Sequence, residues 1–258
     1  MEDQILHSRQ RLEDLILRWY DAGVMRVDPH TVDSYMHALK RGSRGMPITK
    51  DDKDKWRFLR LLCHMNDEFK DEYWEKNTVG LKLYERPESW PEKKPLVKIL
   101  AWTLMPNHFH LLLKENVKGG IATFMQKLGN SMTTHYNFKY KEKGSIFQGS
   151  YKGKVVNEDR YLRWLASYIM VKNVFELYPG GLTAAAENFE DAWRWGTNYP
   201  FSSFENYATK SKEEYSIVDK EVLGEMFRTS GEFKASARDM ILSRTWEKDR
   251  QLKALSVE

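Results

Sequence analysis

Val97-Lys98-Ile99-Leu100-Ala101-Trp102-Thr103-Leu104, then Met105-Pro106-Asn107, then His108-Phe109-His110-Leu111-Leu112-Leu113-Lys114 is the stretch that decides the reading of this chain. The first eight residues are mostly apolar and strand-like. Met105-Pro106-Asn107 breaks the run, and a second apolar strand follows, so the pair reads as a β-hairpin. Strand side chains alternate faces, so His108 and His110 point the same way, with Cβ atoms roughly 7 Å apart. Phe109, Leu111 and Leu113 then face the opposite side and can anchor the strand in a core. Two imidazoles at this spacing suit a divalent transition metal. They also suit a chance pair of structural histidines, and spacing alone leaves both readings open.

Downstream, Gly119-Gly120 opens a helix with Ile121, Phe124, Met125, Leu128 and Met132 on one face. Residues 144–156 return to strand-like composition. Asn157 or Asp159 can cap a further helix that runs to about Tyr178 and stops at Pro179-Gly180-Gly181. Upstream, Val32 to Lys40 reads as a strand closing on the loop Arg41-Gly42-Ser43-Arg44-Gly45. A helix follows with Thr49 as its N-cap, Asp51 and Asp52 in its first turn, and Trp56, Leu59, Leu62 and Cys63 on its apolar face. Residues 85–95 hold three prolines and form a loop. Residues 5–22 read as an amphipathic helix, and an aromatic stretch at 193–207 precedes a charged, mostly helical tail. The order predicts α+β: an antiparallel sheet with helices on one face. The chain divides into a helical extension (1–31), a main domain (32–207) and a helical tail (208–258).

The chain has 258 residues, 41% hydrophobic and 13% aromatic, enough to bury a core. A single cysteine excludes an internal disulfide framework and any CxxC zinc or redox site. No run approaches 18 apolar residues, and Met1-Glu2-Asp3-Gln4 lacks a signal-peptide pattern. These features predict a soluble, cytoplasmic protein without membrane partners. The formal net charge of +4 permits a nucleic-acid partner without requiring one. Its distribution says more. From Asn137 to Lys154, five lysines (Lys139, Lys141, Lys143, Lys152, Lys154) face one acid, Glu142, with Phe138, Tyr140, Phe147 and Tyr151 interleaved. Lysines neutralise phosphates and aromatic faces stack on unpaired bases, which suits single-stranded DNA. A lysine-guarded strand edge fits the same residues. Tyr168 sits mid-helix, usually a packing position. Facing a metal it becomes a nucleophile for a phosphodiester.

Together these segments resemble the single-tyrosine HUH transposases, which include the IS200-like enzymes and the REP-associated tyrosine transposases. The resemblance is carried by Met105-Pro106-Asn107-His108-Phe109-His110-Leu111-Leu112, by Gly119 to Tyr140, by Gly144-Ser145-Ile146-Phe147-Gln148-Gly149-Ser150-Tyr151-Lys152 and by Asp159 to Asn173. It covers roughly residues 32–207. It implies a ferredoxin-like fold and metal-dependent nicking and rejoining of single-stranded or hairpin DNA through a 5′-phosphotyrosine. It also implies Mg²⁺ or Mn²⁺ on His108 and His110, Tyr168 as nucleophile, work on the nucleoid, and room for a homodimer. Lys139, Lys141, Lys143, Phe147, Gln148, Tyr151, Lys152 and Lys154 become the DNA-binding residues. A relative that binds hairpin DNA without cutting it is the alternative. A phosphoesterase with two His-x-His or His-x-Thr strands would need a second such strand, which the sequence lacks.

One departure carries a structural expectation. Relatives supply an amide as third ligand four residues after the tyrosine, often followed by proline. Here Tyr168-Ile169-Met170-Val171-Lys172-Asn173-Val174 puts Lys172 at that place and the amide one residue later. On a regular helix Asn173 lies about 140° around from Tyr168. A π-bulge would absorb the extra residue. A wide turn between Tyr168 and Asn173 is therefore expected, bringing the Asn173 amide toward the histidines.

Overall fold

The computed structural model describes residues 27–209 and 217–243. The helix expected at 5–22 and the end of the tail lie outside the described residues. The elements run β1 (Tyr35–Arg41), α1 (Asp52–His64), the single turn α2 (Trp74–Asn77), β2 (Val97–Leu104), β3 (His108–Glu115), α3 (Gly120–Tyr140), β4 (Lys152–Val156) and α4 (Asp159–Ser167). The strands form one sheet in the order β2-β3-β1-β4, every pair antiparallel. With α1 between β1 and β2 and α3 between β3 and β4, this is a ferredoxin-like α+β fold.

Local chemistry explains where the elements start. Asp51, not Thr49, caps α1: its carboxylate accepts the backbone N–H of Asp54 at 2.9 Å. Thr49 is buried, and its hydroxyl has no partner among the described residues. The apolar face of α1 also differs from expectation. Phe58, Leu59, Leu61 and Leu62 are buried, whereas Trp56 is 46% exposed. The strand expected across 144–156 is confined to Lys152–Val156. Gly144, at φ 85°, turns the chain beyond α3, and the segment that follows is held to the end of β1 by a bridge between Phe147 and Gly42 and by the Gln148 N–H donating to the Arg41 carbonyl at 3.0 Å. Gly42 itself allows no side chain: a Cβ there would lie 2.1 Å from the carbonyl oxygen of Met46. Its N–H donates to the Asn107 carbonyl at 2.7 Å, tying the end of β1 to the β2–β3 turn.

The two faces of the sheet differ. On one, Met36, Ala38, Phe109, Leu111 and Leu113 are buried beneath α1 and α3, with the Phe109 ring 5.2 Å from Phe58. Truncating Phe58 to Ala should cost roughly 3–5 kcal/mol. On the other lie His37, Arg41, His108 and His110, by the register His37↔Leu112, Leu39↔His110 and Arg41↔His108. A register shift between Ile99 and Ala101 in β2 keeps Thr103 opposite His110 on this second face.

Helices cover the second face as well, an addition to the expected single layer. Beyond α4 the helix widens into a π-turn (Tyr168–Lys172) and continues as α5 (Asn173–Glu176). Then come α6 (Gly181–Glu187), α7 (Phe189–Thr197), α8 (Phe204–Ala208), α9 (Glu221–Met226) and α10 (Ser230–Ser243). Phe175, Trp193, Phe204, Tyr207, Phe227 and Phe233 stack into one aromatic knot among them. This knot is continuous with the core of the sheet. The described part of the tail therefore packs against α4 and the π-turn. Among the described residues, no helix is long and apolar enough to cross a membrane.

Candidate active site

β3 delivers His108 and His110 to the second face, with ring centroids 4.9 Å apart and planes at 78°. His110 is 5% exposed and His108 half-buried. Both are held neutral. Burial, then the charges of Arg41 and Lys172, lower His108 to about 4. Burial, then His108, His37, Lys172 and Arg41, push His110 well below its usual value. Neutral imidazole is the form that binds a metal.

Each imidazole is gripped from behind. His108 Nδ1 lies 2.6 Å from the side-chain oxygen of Asn107, whose amide nitrogen donates to the Gly45 carbonyl at 3.2 Å. An oxygen can only accept, so His108 carries its proton on Nδ1 and leaves Nε2 bare. His110 Nδ1 lies 2.8 Å from His37 Nε2.

The helix after β4 completes the group. The ring of Tyr168 packs edge-on to His110, centroids 5.8 Å apart at 86°, and stacks on Trp164. The wide turn expected here is present: the N–H of Asn173 bonds to the carbonyl of Tyr168, five residues back. Asn173 is buried, and its amide nitrogen has no partner among the described residues. Lys172 reaches over the Tyr168 ring at 5.4 Å and pairs with Glu176 at 2.6 Å. Tyr168 and the two histidines thus meet, with two cations bearing on them.

This donor set fits a divalent ion. Two neutral imidazoles are oriented by partners on their far nitrogens, and cations nearby accept an anionic substrate. Among the described residues no cluster of three or more His, Cys, Asp and Glu has metal-binding geometry. Water, an amide or phosphate oxygens would have to fill the remaining positions, as Mg²⁺ commonly requires.

The residues expected to meet DNA are divided by the structure. Lys141, Lys143 and Gln148 are exposed. Tyr151 and Lys152 are half-buried at the β4 edge. Lys139 instead pairs with Asp51 and Asp54 at 2.7 and 2.6 Å. Lys154 is 7% exposed and lies 3.4 Å from Asp28. Phe147 is a core residue against Phe109, with Lys40 over its ring at 4.9 Å, and it offers no stacking face. His37, Arg41 and the role of Asn107 escaped the sequence reading. For His37 and Arg41 the available signal was polar residues alternating with Met36 and Ala38 in β1, meaningful only once β1 is paired with β3.

Residues 68–172 match the family model described as IS200-like transposase. No curated protein matches the chain. Among solved structures, it is similar to a REP-associated tyrosine transposase bound to a REP hairpin, at 11% identity and a TM-score of 0.38. That alignment covers 75% of this chain and 91% of the other. The fold assignment rests on strand order and not on this likeness. The family match runs from the loop beyond α1 through the hairpin to the π-turn and takes in His108, His110 and Tyr168; over that span the chain is similar to the IS200-like transposases.

Proposed function

We propose that this protein nicks and rejoins single-stranded DNA, hairpin-associated DNA in particular, with Tyr168 as nucleophile. The observation that carries the reading is the packing of the Tyr168 ring against His110, in a pocket of neutral imidazoles faced by Arg41 and Lys172. His108 and His110 would hold a divalent ion through Nε2, with the Asn173 amide as a further ligand. Bound there, the ion would polarise a phosphoryl oxygen and lower the barrier to attack. Arg41 and Lys172 balance the charge of the scissile phosphate. The Tyr168 oxygen attacks phosphorus and loses its proton to solvent. The bond from phosphorus to the 3′ oxygen breaks, and that oxygen takes a proton as a free 3′-OH. The tyrosyl ester conserves the phosphodiester, so attack by another 3′-OH rejoins strands without an external energy source.

The test uses a hairpin-bearing oligonucleotide labelled at its 3′ end, incubated with Mn²⁺ and run on a denaturing gel. The parent should give a labelled protein band, and Tyr168→Phe none while still binding the DNA. An adduct on the Phe variant would move the nucleophile elsewhere. Hairpin binding by the parent without any adduct would favour the binding-only alternative.

A further inference from the structure

We infer that His37 is a positioning residue for the metal site, setting the tautomer of His110 so that Nε2 faces the site without a proton. This rests on the metal reading of His108 and His110 given above.

His37 and His110 sit diagonally across the β1–β3 pair, since His37 is opposite Leu112 and Leu39 opposite His110. Their rings are nearly coplanar, at 24° with centroids 5.1 Å apart, so the two nitrogens meet edge to edge at 2.8 Å. Both side chains are buried, His37 at 1% exposure, so water does not compete for this bond. The bond holds one proton and admits two arrangements. With the proton on His37, His110 would carry its own proton on Nε2 and have no lone pair for a metal. With the proton on His110 Nδ1, Nε2 is bare and His37 Nε2 accepts. The second arrangement matches His108, whose Nδ1–H is fixed by the Asn107 oxygen. It also leaves a lone pair, instead of an N–H, on the His110 ring nitrogen that does not meet His37. His37 Nδ1 then becomes a buried donor with no partner, and no partner for it exists among the described residues. An unpaired buried polar atom is costly. Its retention beside a metal-ligand candidate is the mark of a group kept for orientation, as outer partners of ligating histidines are.

The experiment is two measurements on full-length protein. Long-range ¹H–¹⁵N correlation on the metal-free parent reads the His110 tautomer, and calorimetry reads the Mn²⁺ dissociation constant. The parent should show His110 protonated on Nδ1. His37→Phe, which keeps the ring but not the acceptor, should mix the tautomers and weaken Mn²⁺ binding about 10-fold or more. His37→Gln, whose side-chain oxygen can accept the same proton, should restore most of the affinity. A purely structural role predicts no such rescue of tautomer and affinity together. Should the Phe variant fail to fold, the parent tautomer and the Gln variant still decide. His110 protonated on Nε2 in a parent that binds Mn²⁺ would overturn the role of His37 alone. A parent that binds no Mn²⁺ would overturn the metal reading and this inference with it.

Discussion

The hydroxyl of Thr103, in β2, donates to the carbonyl oxygen of Ile169 at 2.5 Å. Ile169 lies in the π-turn, where five-residue spacing upsets the regular ladder and leaves carbonyls in need of donors. Thr103 is fully buried and stands opposite His110. One hydroxyl therefore joins the tyrosine-bearing turn to the strand pair that carries the histidines.

Thr103→Val should accordingly cost about 1–3 kcal/mol, because it keeps the shape and leaves a buried carbonyl unpaired. Urea unfolding reads the loss. The adduct yield should fall more than the folded fraction does. Unchanged stability and unchanged yield would show that the turn holds its shape without this bond.

His108→Ala and His110→Ala should each abolish Mn²⁺-dependent adduct formation, and EDTA should do the same to the parent. Both residues lie on one face with Nδ1 already committed. Full nicking in EDTA would remove the metal from the mechanism.

His64 gives a test remote from the site. It is wedged between Trp74 and Trp90 at 5.6 and 5.8 Å, and neither ring nitrogen has a partner among the described residues. Burial, then Arg60, Lys93 and Arg86, lower its pKa to about 4. The unfolded chain takes up a proton near pH 6.5 that the folded chain refuses until about 4. The contribution of this group to stability is therefore complete above pH 6.5 and declines as pH falls toward 4. His64→Phe should be neutral or stabilising at pH 7. It should flatten the pH dependence between 6.5 and 4 by up to ~1.4 kcal/mol per pH unit. An unchanged slope would assign the acid sensitivity to the other buried histidines.

Asp54 works in the opposite direction of charge. Burial raises its pKa, but bonds from Lys139, Tyr140 and the Lys50 N–H outweigh that and bring it down to about 2. Its contribution holds above pH 3.8 and is lost as pH falls through about 2. These bonds tie the start of α1 to the end of α3. Asp54→Asn should destabilise by ~2–3 kcal/mol and remove that acid-limb loss. A variant as stable as the parent at pH 7 would show that the cluster is incidental.

For DNA, the exposed lysines are the ones to neutralise. Lys141→Gln with Lys143→Gln should weaken binding to single-stranded DNA. It should reduce the magnitude of the log–log salt slope by about 1.4, two phosphates at ~0.7 each. The same slope with lower affinity would mean these side chains act through the fold.

Much of this architecture was legible because it is local. The hairpin, the shared face of His108 and His110, and the buried stripe Ile121, Phe124, Met125 and Leu128 all follow from period alone. The π-turn followed from the resemblance, because Asn173 stands one residue later than the amide of the similar family. Most of what escaped depends on distant partners, the choice of helix cap apart. Thr49 and Asp51 are both good caps, and the choice was made by Asp51 reaching the Asp54 N–H. Phe147 sits in a basic stretch, yet its ring is drawn into the core by Phe109. His37 acquires meaning only through the β1–β3 register, which no pattern within β1 specifies.

The edge-on packing of Tyr168 against His110 has a stoichiometric consequence. The residues proposed for cutting, Tyr168, His108 and His110, come together within one polypeptide, and the bond from Thr103 to Ile169 fastens their elements to each other. On that reading the tyrosine serves the histidines of its own chain. Two inactive chains, one with Tyr168→Phe and one with His110→Ala, should therefore fail to rescue each other when mixed, whatever they do as assemblies on DNA.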